Sequence, residues 1–323
     1  MLRVMKTARR IGMALTLFFL GCETTGTAGP AMHVDTPAMV DPQKTLQISM
    51  VDVGQGDGMV LKTPSGVVIA FDGGPDRTGN YADFLKRQNI TQIDYVILSH
   101  GHSDHYTGLG TAIAMLPKDC APRVFDPGFA RPDIPGYQYI RDTAGCRYSS
   151  LTLNQTLMLD PAIELSVMGV SNTPYPQNDG TGINNTSAVI RLRYGAFSMI
   201  FQGDAQTEAE KNLYSMFKTQ LAANILKVGH HGSCNATGTS LLQAIAPSYA
   251  LISSGGPNDP NMFGHPHCQT IDKLRSAGVH YYRTDTNGDI TITTDGRVFA
   301  IVPTKGLPDS AACPRACATP SDF

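Results

Sequence analysis

The chain has 323 residues and a 41% hydrophobic share, room for one large domain or two small ones around a real core. A formal net charge of −2 excludes a general electrostatic attraction to nucleic acid or to an anionic lipid surface, though it leaves local patches open. Seven cysteines are too many to ignore and too few for a small disulfide scaffold.

Arg3, Lys6, Arg9 and Arg10 precede an apolar run from Ile11 to Leu20 that ends at Gly21-Cys22. A basic start, a short apolar stretch and a small residue before a cleavage point describe a secretory signal peptide over residues 1–21, so the protein is expected to be exported. The run is too short to span a bilayer comfortably. Phe19-Leu20-Gly21-Cys22 resembles a bacterial lipobox, with Phe19 where Leu is usual. That resemblance implies a cell-envelope lipoprotein held to a membrane surface through a lipidated Cys22; plain secretion stays open. Removing residues 1–21 deepens the charge to about −6. Residues 22–44, rich in Thr, Ala, Gly and Pro, predict a flexible tether. The remaining cysteines, Cys120, Cys146, Cys234, Cys268, Cys313 and Cys317, read as disulfides before metal ligands in an exported chain. Cys234 with Cys268, Cys120 with Cys146, and Cys313 with Cys317 are the pairings expected.

From residue 45 strand and helix signals alternate. Leu46–Val53 is apolar and bounded by Gly54-Gln55-Gly56-Asp57-Gly58; Met59–Lys62 and Val67–Phe71 form a hairpin around Pro64-Ser65-Gly66. Tyr81–Arg87 has helical spacing, Ile93–Leu98 is a buried strand, and Tyr106–Leu116 is a helix with Leu109, Ile113 and Leu116 on one face. Beyond a less regular middle with a strand at Arg123–Asp126 and a helix at Gly136–Ala144, strands are expected at Ile163–Val170, Ser187–Tyr194 and Ala196–Phe201. The amphipathic helix Thr207–Leu221 follows. Strands at Ile225–Val228 and Tyr249–Ser253 alternate with helices at Ser240–Ile245 and Thr270–Ala277, and three strands from Val279 to Val302 close the domain at residue 303. Residues 304–323 read as a C-terminal tail. The pattern predicts an α/β domain of two sheets packed face to face with helices outside.

His100, His102, Asp104 and His105 follow directly on a buried-looking strand, so four donors converge from one tight loop. Imidazole and carboxylate are the ligand set for zinc and related divalent ions. The run His-x-His-x-Asp-His after a strand resembles the metallo-β-lactamase superfamily, and within it the hydrolase domain of the competence protein ComEC and its free-standing relatives. Six further runs match in order: Val51 to Asp57, Phe71-Asp72-Gly73-Gly74, Asn184 to Ser187, Gln202-Gly203-Asp204-Ala205, Lys227 to Ser233 and Gly264-His265-Pro266-His267. The resemblance implies a four-layered αββα fold and a hydrolase with two divalent metal ions, Zn or Mn. His100 and His102 would serve the first ion, Asp104, His105 and His231 the second, and Asp204 both.

His230 is then expected to face substrate or to support a ligand from behind, and Asp72 either to orient a ligand imidazole or simply to form the turn before Gly73. Where many relatives carry another histidine, this chain has Asn184-Asn185, a poorer donor for zinc. His265 is expected to contact the substrate rather than a metal, the bland alternative being a loop histidine beside Pro266. His267 is a weaker candidate of the same kind, and His33 and His280 read as structural or solvated. Asp104, His230 and His265 are the expected catalytic residues, acting with water acidified between the ions. The resemblance implies a phosphodiesterase or nuclease, with extracellular DNA as one substrate. The alternatives are a hydrolase of another ester, a lactone or an amide, and a non-catalytic metal-binding lipoprotein. No protein partner is evident. Tyr137, Tyr139 and Arg141 are either a stacking lip over the site or the packing face of their helix.

Overall fold

The computed structural model describes residues 29–116, 122–129, 134–173, 175, 181–255, 263–309 and 315–317. The expected signal segment, Cys22, Cys120 and Cys313 lie outside the described residues. In chain order the first half comprises β1 (Met32–His33), β2 (Leu46–Met50), β3 (Gly58–Lys62), β4 (Val68–Asp72), α1 (Asn80–Arg87), β5 (Tyr95–Ile97), α2 (Ser103–Ala114), β6 (Arg123–Asp126), α3 (Pro135–Ala144) and β7 (Tyr148–Ser150). Next come β8 (Thr156–Asp160), β9 (Ile163–Gly169), α4 (Thr181–Asn184), β10 (Val189–Tyr194), β11 (Phe197–Phe201), α5 (Thr207–Phe217) and β12 (Ile225–Lys227). The chain finishes with α6 (Thr239–Ile245), β13 (Tyr249–Ile252), α7 (Cys268–Ser276), β14 (His280–Arg283), α8 (Thr284–Asn287), β15 (Ile290–Thr294) and β16 (Val298–Pro303).

Two mixed sheets result. One runs β1-β16-β15-β2-β3-β4-β5-β6-β7 and the other β14-β13-β12-β11-β10-β9-β8. Alternation along β3 and β4 explains why both faces are covered. Met59, Leu61, Ile69 and Phe71 point into the space between the sheets, while Val60, Val68 and Ala70 point outward beneath α1, α2 and α3. The second sheet does the same, sending Phe201, Ile225 and Leu251 inward and Ile200, Leu226 and Ala250 out under α5, α6 and α7. Phe71 and Phe201 stack across the interface with ring centroids 4.7 Å apart. The layers are therefore helix, sheet, sheet, helix, as the resemblance implies.

Four differences from the sequence reading have physical causes. Helix α2 starts at Ser103, not Tyr106, so Asp104 and His105 ride its first turn. Strand β8 lies in a stretch read as irregular, because its outward residues Thr156 and Met158 are exposed and the apolar alternation is thin. The expected tether does not run to residue 44: β1 pairs in parallel with β16, and Ala31 and Val40 are buried. Within the tail, Arg315 bridges to His267 and Cys317 is disulfide-bonded to Cys234, with Cα atoms 6.1 Å apart. That bond replaces the expected pairings of Cys234 with Cys268 and of Cys313 with Cys317. The tail lies alongside the loop before α7, where the backbone N–H of Cys268 donates to the Arg315 carbonyl (2.8 Å), and this seats Cys317 over Cys234. Cys268 is itself disulfide-bonded. Among the described residues no helix is long and apolar enough to cross a membrane.

Candidate metal centre

Strands β5, β11 and β12 end side by side at one rim of the sandwich, and the loops after them carry the donors. Ser99 sets the first loop: its N–H and its hydroxyl both donate to the Asp72 carboxylate, at 2.8 and 2.6 Å. His102 then stands at the N-cap of α2, and Asp104 in the first turn, where the helix dipole favours a carboxylate. The loop at Gly56 lies so close to this turn that a Cβ there would meet the Asp104 carbonyl oxygen at 2.2 Å, so the position requires glycine. Gly108 meets the same demand further along α2, where a Cβ would reach the Gly73 carbonyl oxygen at 2.1 Å.

Donors from these loops form two groups that share one residue. His100, His102 and Asp204 offer ligand atoms within 4.8 Å of one another, and so do Asp57, His105, Asp204 and His231. In the first group His100 Nε2 lies 3.0 Å from His102 Nδ1 and 3.7 Å from Asp204 Oδ2. In the second, His105 Nε2 and His231 Nε2 lie 3.2 and 3.3 Å from the same Asp204 oxygen; Asp104, a member of neither group, has its Oδ2 3.4 Å from His231 Nε2. All six residues expected as ligands thus converge, with Asp204 common to both groups.

The fit to metal rests on atoms that are buried and unsatisfied. His105 Nε2, His231 Nε2, Asp204 Oδ1 and Asn184 Oδ1 are all buried without a hydrogen-bond partner among the described residues. Such atoms cost free energy unless something meets them. Both rings are also held from behind: His105 Nδ1 faces Asp72 Oδ2 at 2.9 Å, and His231 Nδ1 donates to the Ser253 carbonyl at 3.1 Å. Fixing the proton on Nδ1 leaves each Nε2 lone pair aimed at Asp204, the tautomer a metal needs. The residues present fit a divalent ion.

Asn184 and Asn185 separate here. Asn185 Oδ1 accepts from Gln206 N–H (2.9 Å) at the start of α5, whereas Asn184 reaches the site, its amide nitrogen 3.4 Å from His230 Nε2. His265 belongs to neither donor group but lines the same cavity of about 460 Å³, with His102, Asp104 and His230. The Gly255 N–H donates to Gln55 Oε1 (3.3 Å), which orients the Gln55 amide to donate to His265 Nδ1 at 3.0 Å. His265 Nε2 therefore carries the proton. His267 is structural, accepting from Cys234 N–H at Nδ1 and donating to the Phe263 carbonyl at Nε2. His33 packs between Tyr249 and Phe299, and His280 pairs with Asp309 at the surface.

Two residues that the sequence reading left without a role stand behind the second group. Lys227, at the end of β12 and fully buried, has its ammonium against Asp57 and also donates to the Gly203 carbonyl (3.2 Å). Asp57 in turn lies 3.3 Å from His231 Nδ1 and 3.8 Å from His105 Nδ1. It faces the rear nitrogens of both rings, so it supports them rather than competing for metal. A lysine inside the apolar strand Ile225–Val228 was the available signal. His230 and His231 adopt left-handed backbone, φ 45° and 54°, a conformation that non-glycine residues avoid and that turns both side chains toward the cavity.

Charge follows this geometry. Burial opposes protonation of His105, but the carboxylates of Asp204, Asp72 and Asp104 outweigh it and raise its pKa well above the ordinary value. Burial likewise opposes protonation of His231, and Asp204 and Asp57 raise it. Asp204 is pulled far below the carboxylate range despite its burial, by His105, His231 and His230. His100 and His102, where burial wins, are pushed down, and His265 falls to about 2 through burial and its histidine neighbours. The centre holds one set of histidines that attracts protons or cations strongly and another that stays neutral.

Of the supposed lip, Tyr137 is buried and donates to Asp126 (2.8 Å), and Arg141 pairs with the same carboxylate (2.7 Å). Those two form a packing face. Tyr139 alone of the three points outward.

Residues 68–247 match the family model described as the beta-lactamase superfamily domain. ComE operon protein 3 of Bacillus subtilis is 28% identical over 278 residues, covering 80% of this chain and 34% of that protein. Competence protein ComA of Neisseria gonorrhoeae is 25% identical over 250 residues, covering 76% of this chain and 32% of that protein. The chain thus spans about a third of the length of these curated relatives. Among solved structures, the metallo-beta-lactamase fold protein YhfI of Bacillus subtilis is similar in fold, with a TM-score of 0.51 at 13% identity, over 77% of this chain and all of that one. A model matching more than half of the residues, on the sheets and loops that gather the shared aspartate, places the chain in the metallo-β-lactamase superfamily of hydrolases.

Proposed function

We propose that this hydrolase is an exported phosphodiesterase whose centre holds two divalent ions, with His100, His102 and Asp204 on one and Asp104, His105, His231 and Asp204 on the other. The observation that carries the reading is Asp204, which stands in both donor groups with Oδ1 still unpartnered. Bound there, the ions would supply Lewis acidity and acidify a water. Asp104, beside His231 Nε2, is placed to orient that water. His265 presents a protonated Nε2 from a neutral ring, a hydrogen-bond donor for a phosphoryl oxygen that gains charge in the transition state. His230, at the same rim, offers a second contact. Asn184 Oδ1 completes the first group in place of the absent histidine.

Export is supported by the basic-then-apolar start and by the Cys234–Cys317 disulfide, a bond typical of oxidising compartments. Membrane attachment through a lipidated Cys22 and action on extracellular DNA belong to the same reading.

The test is a panel of bis-p-nitrophenyl phosphate, single-stranded DNA, a lactone and a β-lactam, run with zinc and with manganese. Phosphodiester turnover is expected. In His265→Ala it should fall by about two to three orders of magnitude with metal content unchanged on the same preparation. Turnover confined to the lactone or the β-lactam would overturn the substrate class, and loss of metal in His265→Ala would make it a ligand.

A further inference from the structure

The metal cavity does not end at Asp104. It opens along the outer face of α2 into a groove of about 720 Å³, and Ser103, Asp104 and Phe263 line both spaces. Two aromatic rings stand exposed on the groove wall, Tyr139 at 45% and Phe263 at 53%. The threonine hydroxyls on the groove face of α2 are committed to holding its edge: Thr107 accepts from Asp76 N–H (2.9 Å) and donates to the Ser103 carbonyl (2.7 Å), and Thr111 donates to Asp76 (2.5 Å). Among the described residues, the charged ones that line it are Asp76, Asp104 and Arg77, which make no basic track for a run of phosphates. What the groove offers is flat apolar surface beside the reacting centre, in a volume suited to one small molecule or to a fragment of a larger one.

We propose that this groove is the subsite for the nucleobase next to the scissile phosphodiester, which stacks on Tyr139 and Phe263 while the phosphate lies in the metal cavity. The inference rests on the phosphodiester reading and sharpens it: the preferred substrates are nucleoside phosphodiesters, recognised by one base rather than by a long charged strand. Stacking is tolerant of base identity, because every base has a π face. Phe263 also stacks on His265, with ring planes 16° apart and centroids at 5.8 Å, so an occupied groove would adjoin the proposed phosphoryl donor.

The test compares kcat/KM for dithymidine monophosphate with that for glycerophosphocholine, a phosphodiester without a base, on the metal-loaded protein. Tyr139→Ala should lower the dinucleotide-to-glycerophosphocholine ratio about tenfold, through KM, and Tyr139→Phe should restore it. Because Tyr139 is exposed, its loss is not expected to unfold the chain. An unchanged ratio in Tyr139→Ala overturns the subsite. So does wild-type preference for lysophosphatidylcholine over the dinucleotide, which would make this a groove for an acyl chain. If the wild type cleaves no phosphodiester with either metal, the function reading fails first and the subsite falls with it, an outcome distinct from cleavage with an unaltered ratio.

Discussion

Lys227 and Asp57 show how a buried pair can hold the histidines of a candidate metal centre from behind. Each is fully buried, and each would be costly alone. Together they brace His231 from behind and leave its Nε2 facing Asp204. Lys227→Met strands the Asp57 charge, which should cost about 3–5 kcal/mol of stability. It should also weaken metal binding about 10- to 100-fold, as loss of support behind a ligand does. Adding Asp57→Asn should recover much of the stability but little of the affinity. Thermal unfolding and competitive metal titration on the same variants separate the two effects, and wild-type affinity in Lys227→Met would show the pair to be purely structural. The candidate ligands were legible because four of them crowd into six residues after a strand. Asp57 and Lys227 were not, since each motif names a residue without its direction. Only the three-dimensional meeting of the Gly54–Gly58 loop with β12 shows that they oppose each other.

At the scale of elements, Glu210 joins α5 to the turn before α6. It is fully buried and accepts from the backbone N–H of Thr237, from that of Gly238 (2.9 Å) and from Gln202. Burial pushes its pKa up to about 7 from 4.5, against the pull of those donors. Between these two values the unfolded chain has lost a proton that the folded chain keeps. This group's contribution is therefore full below pH 4.5 and is lost as pH rises through about 7. Glu210→Gln should remove that slope, a difference on the order of 3 kcal/mol across the window, read from urea midpoints of both proteins at pH 4.5, 6 and 7.5. Equal slopes would mean that the donors keep Glu210 ionised throughout. The long apolar elements, β2 to β5, β10 to β12 and α5, follow visibly from their side-chain periods. What escaped was short or half-exposed: β1, β7, α4 and α8, each of four residues or fewer, and β8, whose outward side chains are too mixed to mark a strand.

Over the whole molecule, residues 315–317 act as a strap. Cys317 is tied to Cys234 across 83 residues, Gln269 bonds to both the N–H and the carbonyl of Cys317, and the Arg315 side chain packs against Gly264 next to His265. Closing a loop of that length should contribute about 2–4 kcal/mol. Cys234→Ser with Cys317→Ser should lower the melting temperature accordingly in calorimetry, and an unchanged melting temperature would make the bond ornamental. No rule of spacing could pair these two cysteines, because their proximity depends on the bridge between His267 and Arg315.

The sheet order carries a consequence in time. β15 and β16, the last strands, pair beside β2, one of the first. A chain emerging N-terminus first therefore has His100 to His105, Asp204 and His231 exposed while β2 still lacks a neighbour on one side and Cys234 still lacks Cys317. The donors come early and their scaffold late. The sandwich is complete around those donors only once β15, β16 and Cys317 have taken their places.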